Sequence, residues 1–308
     1  MGDLVWEDVN YNGVQDLGEP GIENVTCTLT GTDGLGNPIT PVTIQTDATG
    51  MYRFCDLYPG EYVVTFSQPN GYVPTPTDDP NNNGDDDEDS DADNNLQSPV
   101  TTIISGDSIP NIDAGFLVLG KIGDFAWQDY DADGIQDAGE DPFENITLTL
   151  TGMDNMNNPV YQTEITNSIG EYCFGDLYPG TYTVSCGLPT DLIQTIIQEP
   201  SPNELEDNDF DPATNQTEPI DLVSKDTILY VDAGFFAEDL GDAPNSFETL
   251  LSADGPIHVI QPGKYLGTGV DAELDSKPQA TSGYTGTGGD DNEPSNYEKG
   301  TLMVMKIL

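Results

Sequence analysis

Twelve consecutive residues carry the strongest chemical signal in the chain. Asp129, Asp131 and Asp133 alternate with Tyr130 and Ala132, then come Gly134, Ile135, Asp137 and finally Glu140. Oxygen donors at positions 1, 3, 5, 9 and 12 of such a loop, with glycine at position 6, suit a hard cation such as Ca2+. The three aspartates bring carboxylate oxygens to one centre, Gly134 permits the sharp turn, and Ile135 offers its carbonyl. Asp137 then binds directly or through water, and Glu140 closes the shell with both oxygens. The same residue types also favour plain turns. Against that bland reading, carboxylates packed this closely repel by roughly a few kcal/mol per pair unless an ion lies between them.

A second loop has the same plan in Asp8, Asn10, Asn12, Gly13, Val14, Asp16 and Glu19. Two amides replace two carboxylates, so it is expected to bind the cation more weakly. Two acidic clusters follow the loops at a distance: Asp89, Asp91 and Asp93, then Asp207, Asp209 and Asp211. Their alternating oxygens suit further Ca2+, joined by Asp3 or Asp124 near the start of each unit and Asp113 or Asp232 near its end. The competing reading is a solvated low-complexity loop, because Asp78 to Asn95 is dominated by Asp and Asn.

Composition supports a cationic counterpart. The chain holds 56 Asp and Glu against 7 Lys and Arg, a formal net charge of −49 over 308 residues. Nucleic acid and anionic membranes recruit basic patches and would repel it. No apolar run of about 18 residues is present, so no membrane span is expected. Nucleophilic triads and most zinc sites need histidine, and His258 stands alone, so the chain reads as no enzyme.

These loops need elements to hold them, and self-comparison supplies the plan. Gly2-Asp-Leu-Val-Trp6 returns 121 residues later as Gly123-Asp-Phe-Ala-Trp127. Asp56-Leu-Tyr-Pro-Gly60 is matched by Asp176-Leu-Tyr-Pro-Gly180, and Asp113-Ala-Gly-Phe116 by Asp232-Ala-Gly-Phe235. Two copies of one domain, 1–118 and 119–237, follow from this echo. Val25, Cys27 and Leu29, then Tyr52 and Phe54, then Tyr62, Val64 and Phe66 alternate with polar residues, which predicts strands with one buried face. About seven short strands per copy, separated by Gly, Pro, Asn and Asp, predict an all-β fold of two tandem antiparallel sandwiches. Little chain lies between the copies, so a semi-rigid rod is expected. The four cysteines, Cys27, Cys55, Cys173 and Cys186, do not correspond between copies, which argues against a shared disulfide framework. Asn24, Asn145 and Asn215 head sequons that read as chance.

The motif set resembles the B repeats of serine-aspartate-repeat surface adhesins. The resemblance rests on the Gly-Asp-x-x-Trp start, the acidic loop, Leu57-Tyr-Pro-Gly60, the alternating aspartates and the Asp-Ala-Gly-Phe ending, and it covers residues 1 to about 237. It implies immunoglobulin-like or transthyretin-like sandwiches of the collagen-adhesin B type, stiffened by calcium. It also implies a stalk on a secreted or bacterial cell-surface protein, with neighbouring repeats as partners. Some collagen-adhesin sandwiches cross-link a Lys to Asn or Asp. The first copy lacks the lysine, its sole basic residue being Arg53, whereas the second carries Lys121 and Lys225. The alternative function is an adhesin module that itself binds a host or matrix protein or carbohydrate.

Residues 238–308 read as an incomplete β-rich segment, with Gly255-Pro-Ile-His258 and Val270-Asp-Ala-Glu273 resembling a segment that accompanies such repeats in large secreted bacterial proteins. Its last residues, Leu302-Met-Val-Met-Lys-Ile-Leu308, are apolar and basic. Read one base earlier, the codons of Met303 to Ile307 give Gly, then one of Tyr, His, Asn or Asp, then Glu, then Asp or Asn, a run resembling the acidic tracts elsewhere, so a frameshift is expected there, and resequencing the locus tests it. Met1 runs directly into the first predicted strand, so the chain reads as a fragment without a signal peptide.

Overall fold

The computed structural model describes residues 1–77, 89–188, 192–197, 206–240 and 257–259. Among them there is no helix, and hence none long and apolar enough to cross a membrane. The first repeat is built from β1 (Val5–Glu7), β2 (Thr26–Asp33), β3 (Val42–Gln45), β4 (Gly60–Phe66), β5 (Val73–Pro74), β6 (Thr101–Ile103) and β7 (Ala114–Leu117). The second comprises β8 (Gly120–Gln128), β9 (Thr147–Asp154), β10 (Pro159–Ile165), β11 (Glu171–Leu177), β12 (Gly180–Gly187), β13 (Ile193–Gln194), β14 (Ile220–Leu222), β15 (Thr227–Leu229) and β16 (Ala233–Phe236). Beyond them β17 (Glu238–Leu240) pairs antiparallel with β18 (Ile257–Val259).

Each repeat is a two-sheet sandwich. One sheet runs β3-β2-β4-β6 in the first copy and β10-β9-β12-β14 in the second. The opposite sheet runs β1-β7-β5 in one and β11-β8-β16-β13 in the other, where β15 also joins β8. Strand alternation selects what lies between them. Cys27 and Leu29 on β2 share one inward face with Tyr62, Val64 and Phe66 on the neighbouring β4, all at most 2% exposed. Leu148 and Leu150 on β9 play the same part against Tyr182 and Val184 on β12. Two separate cores result, one per repeat.

Tyr52 and Phe54 are buried as their alternation predicts, but they lie outside a named strand. Their backbone still pairs with the chain start, Tyr52 N donating to Asp3 O at 2.8 Å and Phe54 N to Met1 O at 2.8 Å. In the second copy the equivalent pairing continues to Gly120 and forms the full strand β11.

The feature that positions the chemistry is a parallel pair linking the first and last strands. Val5, Trp6 and Glu7 register with Ala114, Gly115 and Phe116, and Ala126, Trp127 and Gln128 with Ala233, Gly234 and Phe235. The indoles of Trp6 and Trp127 are fully buried and lie over these glycines. A Cβ on Gly115 would stand 2.9 Å from the Trp6 ring, and one on Gly234 would stand 2.6 Å from the Trp127 ring. The Asp-Ala-Gly-Phe ending therefore needs its glycine, and it presents its aspartate beside the start of the first strand.

Asn24, Asn145 and Asn215 all adopt left-handed backbone, with φ of 64°, 65° and 55°. Asparagine tolerates that conformation better than most residues, which gives the three sequon positions a turn role. All four cysteines are free, Cys27 and Cys186 buried, Cys55 and Cys173 exposed. The predicted frameshift and nearly all of the C-terminal segment lie outside the described residues.

Candidate metal centres

The loop 129–140 leaves the end of β8 and returns toward the same sheet. Asp129 is fully buried. One of its oxygens accepts the Asp131 and Ala132 amides at 3.2 and 2.7 Å; the other accepts the Gly134 amide at 2.9 Å and the Thr195 hydroxyl at 2.6 Å. Ala132 and Gly134 both have positive φ, 57° and 83°, which curls the backbone around the carboxylate. Ligand atoms of Asp129, Asp131 and Asp133 all lie within 4.8 Å of one another. Glu140 closes the loop from its far end, taking the Tyr130 amide at 2.6 Å and the Asp137 amide at 2.8 Å. The Asp131 carboxyl is pushed up by burial first, then by the charges of Asp133, Asp129 and Asp137. Burial also raises the Glu140 carboxyl.

The first loop repeats this skeleton. Asp8, fully buried, accepts the Asn12 and Gly13 amides at 3.2 and 2.9 Å and the Thr75 hydroxyl. Glu19 takes the amides of Val9 and Asp16 at 2.7 and 3.0 Å, and burial raises its carboxyl to about 7. The interior differs, however. The side-chain amides of Asn10 and Asn12 donate to one oxygen of Asp16 at 2.7 and 2.9 Å, so this loop satisfies its own acid with neutral donors.

Each loop is tied to the acidic cluster of its repeat by a short extended segment. Val14 bridges to Asp89 and Ile135 to Asp207. Ser90 N then donates to Gly13 O at 3.2 Å, and Asn208 N to Gly134 O at 3.0 Å. Ser90 and Asn208 turn to the last strand, accepting the amides of Gly115 and Gly234 at 3.2 Å each. Along an extended chain the flanking aspartates share the opposite face. Asp91 and Asp209 accept the amides of Asp113 and Asp232 at 2.8 and 2.6 Å.

Asp113 and Asp232 are 2% exposed. One oxygen of each accepts a backbone amide, Leu4 N just before β1 at 2.7 Å and Phe125 N on β8 at 3.0 Å. The second oxygen of each is buried with no hydrogen-bond partner, as is Asp207 Oδ1. Burial lifts the Asp113 carboxyl to about 8, with Asp3, Asp91 and Asp89 adding to the rise. Burial likewise lifts Asp232 to about 9, helped by Asp124, Asp209 and Asp207. A buried carboxylate among like charges is costly unless a partner neutralises it.

The third residues of the acidic runs behave differently. Asp93 is exposed and caps a turn, taking the Asn95 and Gln97 amides at 2.8 and 3.0 Å, and these bonds hold its carboxyl low. Asp211 accepts the Ala213 amide at 2.9 Å in an equivalent turn. Thr75 and Thr195, which orient the first aspartate of each loop, were not singled out from sequence. Their only signal there is that a threonine follows the same two-residue strand in both copies.

A family model described as SdrD B-like domain matches residues 1–116 and again 120–235. Serine-aspartate repeat-containing protein E of Staphylococcus aureus strain USA300 is 36% identical over 246 residues, covering 79% of this chain and 19% of that protein. Bone sialoprotein-binding protein of S. aureus strain MRSA252 is 35% identical over 244 residues, with the same coverages of 79% and 19%. The minor pilin GBS52 of Streptococcus agalactiae overlays 75% of the chain with a TM-score of 0.25 at 10% identity.

Proposed function

The chain belongs to the SdrD B-like domain family, and from that premise we propose that its two repeats form a calcium-stiffened spacer in a secreted or cell-surface adhesin-like protein. The observation that carries this reading is the pair of buried, unpartnered carboxylate oxygens on Asp113 and Asp232, each among other aspartates at the seam between first and last strands. Sequence that merely solvated a loop would not bury such groups twice at equivalent positions.

In this reading two centres serve each repeat. The loop centres use Asp8, Asn10, Asn12, the Val14 carbonyl, Asp16 and Glu19 in one copy, and Asp129, Asp131, Asp133, the Ile135 carbonyl, Asp137 and Glu140 in the other. The seam centres use Asp3, Asp89, Asp91 and Asp113, and Asp124, Asp207, Asp209 and Asp232. Calcium supplies positive charge and flexible coordination by oxygen ligands. The chain supplies the cages, a closed first-to-last strand seam and a rod that is soft without the ion. Affinities on the order of 10⁻⁴ to 10⁻³ M, typical of extracellular modules, would keep the sites filled outside a cell and open in the cytosol.

Calorimetric titration with calcium, alongside thermal unfolding with and without EDTA, tests the proposal. Binding accompanied by a sharp rise in melting temperature is expected, and Asp129→Ala with Glu140→Ala should abolish one site. A flat titration and an EDTA-insensitive melt would end it.

A further inference from the structure

The repeats are joined by more than the two residues between β7 and β8. Glu7, only 3% exposed, ends the first strand of the first repeat. One of its oxygens accepts the Ser224 hydroxyl of the second repeat at 2.8 Å, and the other is ion-paired with Lys225. Ser224 is buried too; its amide donates to Val9 O at 2.8 Å, and its hydroxyl oxygen accepts the Val118 amide at 2.9 Å. The Lys225 ammonium also lies 5.2 Å from the centre of the Tyr72 ring.

The first cation loop takes part directly. Its Asn10 carbonyl accepts the Asn155 side-chain amide of the second repeat at 2.7 Å. The next residue, Tyr11, stacks on Tyr178 with ring centres 4.6 Å apart and planes 23° from parallel. Tyr11 reaches that position because its backbone is left-handed, at φ 59°, inside the turn that wraps Asp8. Ligand positions 3 and 5 flank the stacking ring. Loop shape and joint geometry are therefore set by the same few dihedrals.

Tyr178 and Ser224 have counterparts in Tyr58 and Ser105, but Glu7, Tyr11 and Lys225 have none in the other copy. Gln128 replaces Glu7 and receives the Tyr130 hydroxyl at 3.2 Å. Ala132 replaces Tyr11, and Gly106 stands where the second repeat has Lys225. The contact is thus particular to this junction and to this order of repeats.

We propose that the first cation loop is also the docking element of the joint, keyed to the second repeat through Glu7 with Lys225 and Tyr11 with Tyr178. Ion occupancy of loop 8–19 then fixes the angle between repeats, and occupancy of loop 129–140 does not. The ionic half rests on the calcium reading above; the docking half does not.

The native cysteines provide the test. Cys55 and Cys173 are exposed, one on each repeat, while Cys27 and Cys186 are buried. Nitroxide labels on the exposed pair in the full chain report the inter-repeat distance by pulsed dipolar spectroscopy, and calorimetry on the same samples counts bound calcium. The expected result is a narrow distribution with calcium that broadens at least twofold in EDTA, in Asn12→Ala and, with calcium still bound, in Lys225→Ala and Tyr178→Ala. Asp133→Ala should leave the width unchanged. If Lys225→Ala and Tyr178→Ala both keep the native width at native melting temperature, the docking is overturned. A width indifferent to EDTA while calorimetry shows the first loop filling overturns the ionic link alone. Absence of any binding heat overturns the calcium reading and the link with it, leaving the docking to be judged by the two joint variants.

Discussion

The two acidic loops share one hydrogen-bonded frame but fill it differently. Both bury a first aspartate under a glycine amide and a threonine hydroxyl, and both close with a glutamate on two backbone amides. Inside the frame, loop 8–19 sets two amide donors against Asp16, whereas loop 129–140 sets Asp131 among the charges of Asp133, Asp129 and Asp137. Without an ion the first loop should oppose itself less than the second, whose carboxylates repel one another. A loop with more carboxylates gains affinity by being strained in the ion-free state, and a loop with amides carries less of that strain and less affinity.

Chelation should expose this difference most strongly. EDTA is expected to lower the melting of the second repeat more than that of the first. A ligand held at about 100 times its dissociation constant stabilises by about 2.7 kcal/mol, a melting shift on the order of 10 °C for a domain this size. Hydrogen exchange resolved at Gly13 and Gly134 would follow each loop separately. Equal loss of protection at both amides would break the comparison.

Exchanging the interiors sharpens it. Asp131→Asn with Asp133→Asn makes the second loop resemble the first, so ion-free stability should rise by about 1 kcal/mol while calcium affinity falls at least tenfold. Asn10→Asp with Asn12→Asp should do the reverse in the first repeat. Paired titrations and EDTA melts check both. If the asparagine pair lowers ion-free stability, repulsion is not what sets the second loop.

Much of this was legible beforehand because it follows from local rules. The repeat, the buried alternation at Cys27, Leu29, Tyr62, Val64 and Phe66, and the coming together of Asp129, Asp131 and Asp133 follow from spacing alone. The seam needed topology, since Asp3 and Asp113 are 110 residues apart in the chain and meet only because β1 and β7 run parallel side by side. Asp93 was read as a possible ligand from its alternation, but Asn95 and Gln97 offer their amides and turn it into a cap. The joint was invisible to self-comparison for a simple reason. Matching the copies rewards what they share, while Glu7, Tyr11 and Lys225 are where they differ. Lys225, weighed from sequence as a partner in a cross-link within its own repeat, instead pairs with a carboxylate of the other one.

The smallest expected difference lies at the seams and is read through pH. Without calcium, Asp113 is raised to about 8 and Asp232 to about 9, from an unfolded value near 4. A carboxyl raised in the folded state favours folding while it is protonated, and that contribution is lost as pH climbs from the unfolded value through the folded one. In EDTA both repeats should therefore melt progressively lower between about pH 5 and pH 9. The chain's overall negative charge pushes the same way, so the trend alone does not identify the seam. Asp113→Asn does: it should make the first repeat's dependence shallower, leaving the share of Glu19, raised to about 7, and leave the second's intact. Saturating calcium should flatten both, because the ion takes the place of the proton. An EDTA melt that rises with pH, or an Asp113→Asn variant with the native slope, would remove the seam carboxylates from the proposed calcium dependence.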